Sequence, residues 1–195
     1  FDFEQPPTLV QRRNIRGVNG RINFLGKEIS PLDEKALLAS ADELINQAGC
    51  EAIAINFLHS YANTKHEKLA VKLLNRAFPE TAVSAGGLLA NEYREYERTS
   101  TAVLDAYIKP VLKDYLQNLK LGMRDVGFDG KFYAMNSAGG ALTFQMAEAK
   151  PISTIFSGPA GGVSGALDLA KIMKKRKLLS IDVGGTSLDA NLILD

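Results

Sequence analysis

Cysteine is nearly absent from this sequence. Cys50 is the only one in 195 residues, so no disulfide within the chain can brace the fold, and a reducing compartment is the default. No apolar run approaches the ~18 residues that read as a membrane span, which excludes a transmembrane helix. No secretory leader pattern is visible, and the expected location is cytoplasmic. An excess of one charge is missing too. Lys and Arg number 23 against 22 Asp and Glu, for a net charge of +1. That balance excludes the broad basic footprint of a nucleic-acid or anionic-membrane binder. The one basic run, Lys174-Lys175-Arg176-Lys177, follows an apolar helical stretch and reads as a solvated helix end favoured by the macrodipole. Fixed-period repeats and low-complexity segments are also lacking.

What remains is ordinary for a globular protein, with 46% hydrophobic and 23% charged residues. A chain of this length buries about 70% of its unfolded surface. The first residue is Phe1 rather than Met, and the sequence stops one residue after an apolar strand. Both ends lead to the expectation of a piece of a longer protein.

Residues 8–25 read as strands around the turn Gly17-Val18-Asn19-Gly20. Ser30-Pro31-Leu32-Asp33 predicts a helix start with Ser30 as cap. That helix carries Leu37, Leu38, Ala41, Leu44 and Ile45 on one face and closes at Gly49. A buried strand over 51–58, a helix over 64–78 and a short strand at 81–84 follow. This strand–helix–strand order predicts an α/β layer with parallel strands. Residues 91–120 form the longest helical pattern, with Pro110 expected to kink or break it and Gly122 to end it. A strand over 131–135, a short helix over 143–150 and a small-residue helix over 160–173 complete the reading.

The most informative segment is Asp182-Val183-Gly184-Gly185-Thr186-Ser187-Leu188-Asp189, between two apolar runs. It predicts strand, tight turn, strand. Two glycines lack the Cβ atoms that would keep backbone N–H groups away from a ligand, and successive N–H groups form a concave nest for an anion. Thr186 and Ser187 add hydroxyls. Asp182 and Asp189 would repel bare phosphate, so they call for a cation between, Mg²⁺ by preference. The competing reading is an ordinary Gly-Gly hairpin. No Lys follows the glycines, so the segment is not a P-loop, and Gly-x-Gly-x-x-Gly is absent there.

Two more glycine turns precede it, at 136–140 and 157–162, each after an apolar strand-like segment. Turns at the carboxyl ends of strands converge on a crevice in open α/β sheets. Ser157-Gly158-Pro159-Ala160-Gly161-Gly162 opens a helix, whose free N–H groups receive phosphate readily. Tight helix–sheet packing demands the same small residues. Glu95-Tyr96-Glu97-Arg98-Thr99-Ser100-Thr101 is dense in ionisable and hydroxyl groups, and a self-paired, solvated helix face is its plainer reading. His59 and His66 lack any known zinc spacing, and Cys50 reads as a structural thiol.

Taken together, the sequence resembles the hydantoinase/oxoprolinase family and its related carboxylase subunits. The resemblance rests on residues 91–101 (Asn-Glu-Tyr-Arg-Glu-Tyr-Glu-Arg-Thr-Ser-Thr), Asn136-Ser137-Ala138-Gly139-Gly140, the run from Ser157 to Ala166, and the Asp182–Asp189 octet. Residues 54–61 with His66-Glu67 add to it. Two departures stand out. The family normally begins with another Asp-x-Gly-Gly-Thr loop, which is not among these 195 residues, and Leu188 stands where the family usually has Thr.

The resemblance implies an incomplete α/β fold of the actin-like ATPase (ribonuclease H-like) type, a mixed sheet with flanking helices. It implies an N-terminal α/β region over 1–120 and the start of the hydantoinase core over 121–195. Family members use ATP to activate a cyclic amide such as a hydantoin or 5-oxoproline, with opening through a phosphorylated intermediate, while related members carboxylate ketones. The expected cofactors are ATP and Mg²⁺. Gly184, Gly185, Thr186 and Ser187 would bind phosphate, with Gly158, Gly161, Gly162, Gly139 and Gly140 shaping the adjoining cleft. Asp182 and Asp189 would hold the metal and orient the attacking group, and Arg98 would neutralise phosphate or a substrate carboxylate. The expected partners are a small cyclic amide and a second hydantoinase-type subunit, in an oligomer, without nucleic acid or membrane. The piece alone is expected to be inactive. The alternatives are an actin-like kinase, a ketone carboxylase subunit, or a non-catalytic subunit-contact module.

Overall fold

The computed structural model describes residues 7–194, in two compact units, Phe1–Pro110 and Val111–Asp195. Among the described residues the strands form four two-stranded sheets, one parallel and three antiparallel.

The first unit begins with a 3₁₀ turn at Arg12–Asn14, where the sequence suggested a strand. Strands β1 (Arg21–Ile22) and β2 (Glu28–Ser30) then pair antiparallel. Ser30 lies in that ladder opposite Arg21, so it does not cap the next helix. Asp33 caps α1 (Glu34–Asp42) instead, accepting from the Ala36 N–H at 3.0 Å. A π-helical turn over Glu43–Gln47 extends α1, and Gly49 follows with φ +69. Strand β3 (Ala52–Ile55), helix α2 (Lys65–Ala77) and strand β4 (Ala82–Ala85) form the expected parallel unit, with Ala52 opposite Ala82 and Ile55 opposite Ala85.

The core of this unit lies where α1 and α2 meet the β3–β4 pair. Leu37 and Ala41 on α1 and Ala70 and Leu74 on α2 face Ile55, Val83 and Ala85. The i, i+4 spacing on each helix is what gathers them. Each large side chain buried there stabilises the fold by about 1.5–3 kcal/mol. A short helix α3 (Gly86–Leu89) follows β4 directly.

Helix α4 (Glu95–Asp125) supplies residues to both units and contains Pro110. The helix continues through this proline and through Gly122. It ends at Asp125, and the closing glycine is Gly127, five residues beyond the expected Gly122, with φ +85 and its N–H donating to Arg124 O.

The second unit continues with strands β5 (Tyr133–Met135) and β6 (Ala141–Thr143), paired around the 136–140 turn. Thr143 caps helix α5 (Phe144–Ala149) through Met146 N–H. Residues Pro151–Thr154 form a 3₁₀ turn rather than an extended segment, because Pro151 fixes φ for a helical start. Helix α6 (Ser157–Ile172) starts three residues earlier than expected. The hairpin of β7 (Lys177–Val183) and β8 (Leu188–Leu194) follows.

The hairpin has two unlike faces. Leu178, Ser180, Asn191 and Ile193 are drawn in on the side against which α6 packs. On the other side Leu179, Ile181, Val183, Leu188, Leu192 and Leu194 are each 58–71% exposed. Among the described residues no helix is long and apolar enough to cross a membrane.

Candidate functional site

The β7–β8 hairpin is in register such that Asp182 lies directly opposite Asp189, with Val183 opposite Leu188 closing the ladder. Directly opposed residues share a face, so the two carboxylates project to the same side of the hairpin, the side on which α6 packs. Asp182 is exposed and Asp189 half-buried. Like charges at such a position are destabilising by roughly 0.2–1 kcal/mol in the absence of a cation.

The turn between them is equally specific. The Gly184 N–H donates to Ser187 O at 2.9 Å. Among the described residues the N–H groups of Gly185, Thr186 and Ser187 have no acceptor, and neither do the Thr186 and Ser187 hydroxyls. Neither Gly184 nor Gly185 is in the left-handed region. A Cβ at Gly184 would meet Ser187 atoms at an ordinary 3.6 Å, and one at Gly185 would meet nothing within 4 Å. The turn itself therefore does not require either glycine. Bare Cα atoms beside three successive free N–H groups are what close approach of a phosphate needs.

Helix α6 is about 24 Å long and β7 about 23 Å. A short reversal at Met173–Arg176, with Lys174 at φ +53, sends β7 back along α6. The two elements are in contact beyond this reversal. Gly158, Gly161 and Gly162 belong to the first turns of this helix, not to a loop before it. No side chain caps that end, and only Gly161 has a close neighbour, the Met135 methyl at 3.5 Å from where its Cβ would be. The helix start therefore keeps uncapped N–H groups and a positive dipole end.

The 136–140 turn is built differently. Gly139 and Gly140 have φ of +90 and +78, so this reversal does require glycine. Its N–H groups are largely used within the fold: Gly139 to Asn136 O, Asn136 to Gly140 O, Ala138 to the Asn136 side chain, and Ser137 to Ser153 O. The Ser137 hydroxyl accepts from Phe156 N–H, which ties the turn to the residue before α6.

Arg98 belongs to the first unit and is fully buried. Its guanidinium donates to Glu92 O at 2.8 Å, Arg94 O at 3.3 Å and Phe57 O at 3.0 Å, and lies 5.7 Å from the Tyr61 ring centre. Those groups are protein carbonyls, so the geometry gives Arg98 the work of joining the β3 exit to the start of α4.

Its partner in that work is Glu67, which the sequence reading left without a role. Glu67 is fully buried and accepts from Phe57 N–H at 3.0 Å and Gly87 N–H at 2.7 Å. Gly86 and Gly87 are packed so closely that a Cβ would come within 2.9 Å of Asn56, Ser60 or Glu67 side-chain atoms. A signal for Glu67 existed: it is an acid at i, i+3, i+7 spacing with buried Ala70 and Leu74. His66 is buried with Nε2 2.8 Å from Glu28 Oε1, and His59 Nδ1 lies 3.3 Å from the Tyr61 hydroxyl. Hydrogen bonds from Lys65 and then His66 hold the Glu28 carboxyl below its usual 4.5. Among the described residues no three His, Cys, Asp or Glu side chains gather as a metal site. The Asp182–Asp189 pair provides two carboxylates, a set that suits Mg²⁺ when phosphate and water supply the remaining ligands.

A sequence profile of the hydantoinase/oxoprolinase family matches residues 98–195, and one of that family's N-terminal region matches residues 1–78. An uncharacterised protein of Methanocaldococcus jannaschii is 39% identical over 99% of this chain. The caprolactamase subunit alpha of Pseudomonas jessenii is 34% identical over 98% of it. The chain spans 28% of the length of each of these relatives. The crystal structure of the ATP-dependent caprolactamase from Pseudomonas jessenii superposes with a TM-score of 0.84 at 31% identity, over 98% of this chain and 28% of that one. The nucleotide-free structure of acetone carboxylase, described for ATP-dependent acetone carboxylation, gives 0.83 at 30%, over 98% and 27%. The α/β fold is therefore shared with these structures, and the chain aligns with 28% and 27% of their lengths.

Proposed function

The chain belongs to the hydantoinase/oxoprolinase family, and from that premise we propose that it forms part of an ATP-dependent hydrolase that opens a cyclic amide. The observation that carries this reading is the β7–β8 turn: three free N–H groups beside two glycines the turn does not need, flanked by carboxylates in direct register. This set fits a metal-bound polyphosphate on each count. The N–H groups of Gly185, Thr186 and Ser187 and the two hydroxyls would hold phosphate oxygens. Asp182 and Asp189 would hold Mg²⁺, directly or through water, and their mutual repulsion would be relieved by it. The start of α6, with Gly158, Gly161 and Gly162, would add a positive dipole end to the cleft.

Bound Mg-ATP supplies a phosphoryl group that makes a stable amide easier to open. This chain's own residues would bind and orient that nucleotide and screen its charge. We read Gly139 and Gly140 as shaping the neighbouring turn, and Arg98 as a structural clamp rather than a group that touches phosphate. A second subunit and a small lactam or cyclic imide as substrate complete the proposal. The related ATP-dependent caprolactamase supports the cyclic amide class. A ketone carboxylase subunit is the second reading, favoured by the equally close match to acetone carboxylase.

The test has two parts. Calorimetric titration of the chain with Mg-ATP should give saturable binding that the Gly185→Ala variant weakens; no heat from either would end the nucleotide reading. Product analysis on the complete enzyme then separates the outcomes. Phosphate with an opened ring marks a hydrolase, a carboxylated ketone a carboxylase, and an accumulating phosphorylated acceptor a kinase.

A further inference from the structure

A cavity lined by no residue of the hairpin turn lies within the Val111–Asp195 unit. Its volume is about 330 Å³, at the lower end of the range for small-molecule sites. Lys120, Arg124 and Lys131 line it, together with the rings of Phe132 and Phe144. Asp129 is the one acidic residue in the lining, which leaves two net positive charges around a small space. Among the described residues none of the three cations has a carboxylate within ion-pairing distance.

The cations come from two separate segments. Lys120 and Arg124 lie near the end of α4, where cations also complement the helix dipole. Lys131 stands beyond the helix on the approach to β5, where no helix end accounts for it. The rings are ordered against one another. Phe132 lies 5.4 Å from Phe144 in a tilted pair and 5.3 Å from Phe128 edge-to-face. Arg124 lies 5.5 Å over the Phe132 ring. A guanidinium held over a ring keeps its edge N–H groups free for an oxyanion. Gly130 is pressed beneath the Phe128 ring, so that any Cβ there would collide with it. The loop that carries Lys131 is therefore fixed by packing.

Cations without carboxylate partners and ordered rings lining one small space select for a ligand with both characters. We infer that this cavity binds a small aromatic anion, a planar ring bearing a phosphate or carboxylate, with Arg124 and Lys131 on the anion and Phe132 and Phe144 against the ring. Bare phosphate would leave the rings idle, and an uncharged ring would leave the cations unpaired. The inference does not depend on the hairpin's nucleotide role.

The probe is phenyl phosphate, titrated into the full chain by calorimetry and by amide NMR, with inorganic phosphate as control. Phenyl phosphate should bind about tenfold more tightly than inorganic phosphate. The Gly130 amide should shift while those of Gly184 and Gly185 stay in place. The double variant Arg124→Ala, Lys131→Ala should lose about tenfold or more in affinity, and Arg124→Lys should lose less. These side chains are solvent-facing, and an unchanged circular dichroism spectrum confirms that the variants fold. Equal affinity for the two phosphates, shifts confined to Gly184 and Gly185, or no saturable binding would each overturn the assignment.

Discussion

Glu67 and Arg98 grip the same residue from opposite sides: the carboxylate accepts from the Phe57 N–H at 3.0 Å, and the guanidinium donates to the Phe57 carbonyl at 3.0 Å. Through its other contacts Glu67 reaches Gly87 after β4, and Arg98 reaches the residues before α4. The β3 exit, the β4 exit and the start of α4 are thus tied by two buried side chains.

Removing Glu67 leaves the buried Gly87 N–H and the half-buried Phe57 N–H without partners. Each such group costs about 1–3 kcal/mol. Glu67→Ala orphans two N–H groups and should lower the unfolding free energy by roughly 2–5 kcal/mol. Arg98→Lys should also destabilise the fold, because one ammonium cannot span three carbonyls in the guanidinium's geometry. Urea unfolding followed by circular dichroism checks both. An unchanged midpoint for Arg98→Lys would mean that the clamp carries no weight.

The register of Asp182 against Asp189 leads to effects of opposite sign in one variant. Without divalent metal, Asp189→Asn should be as stable as the parent or more so, by up to ~1 kcal/mol, because a like-charge pair has gone. With Mg-ATP the parent should gain thermal stability, by about 2.7 kcal/mol at a hundred times its dissociation constant, and the variant should gain far less. Equal gains from Mg-ATP would remove Asp189 from the site.

Gly185→Ala separates a ligand cradle from a plain reversal. Nothing lies within 4 Å of the added methyl, and the backbone there is not left-handed. Stability should be unchanged or rise by ~0.4–1 kcal/mol through the unfolded chain. Affinity for Mg-ATP should fall about tenfold, or ~1.4 kcal/mol. A variant that melts higher and binds nucleotide as before would return the segment to an ordinary hairpin.

Acid stability should depend on two glutamates in the first unit. Lys65 and His66 hold the Glu28 carboxyl below 4.5, and Arg16 does the same for Glu43 through a side-chain hydrogen bond. A carboxyl whose folded value lies below its unfolded value contributes its full stability above the unfolded value, and loses it as pH falls through the folded one. The contribution of both pairs is therefore complete above pH 4.5 and declines below it. The double variant Glu28→Gln, Glu43→Gln should show a flatter decline of the urea midpoint below that pH. An identical acid limb would assign the loss to other groups.

Much of this was visible in the residues alone, where local pattern and tertiary context agree. The α2 periodicity, the β3–α2–β4 order and the strand–turn–strand of the hairpin all follow from repeats of 3.6 and 2 that packing leaves intact. The misreadings arise where a neighbour overrides a local signal. Ser30 is a good cap, but pairing with Arg21 places it in a strand and passes the role to Asp33. Gly122 looks like a helix end, yet the chain tolerates it inside α4, and the closing glycine is Gly127. The free N–H groups at the turn and the double hold on Phe57 are facts of three-dimensional placement that no spacing rule contains.

The hairpin's outward row, from Leu179 to Leu194, bears on how this polypeptide should be handled at the bench. Six greasy side chains on a strand pair with open edges form a template for self-stacking. Purified by itself, the chain should self-associate as concentration rises on size-exclusion chromatography, so the titrations with Mg-ATP and phenyl phosphate belong on a variant that stays monomeric. A lysine at Ile181 or Leu192 should restore a single sharp peak without altering the opposite face, where the aspartates stand.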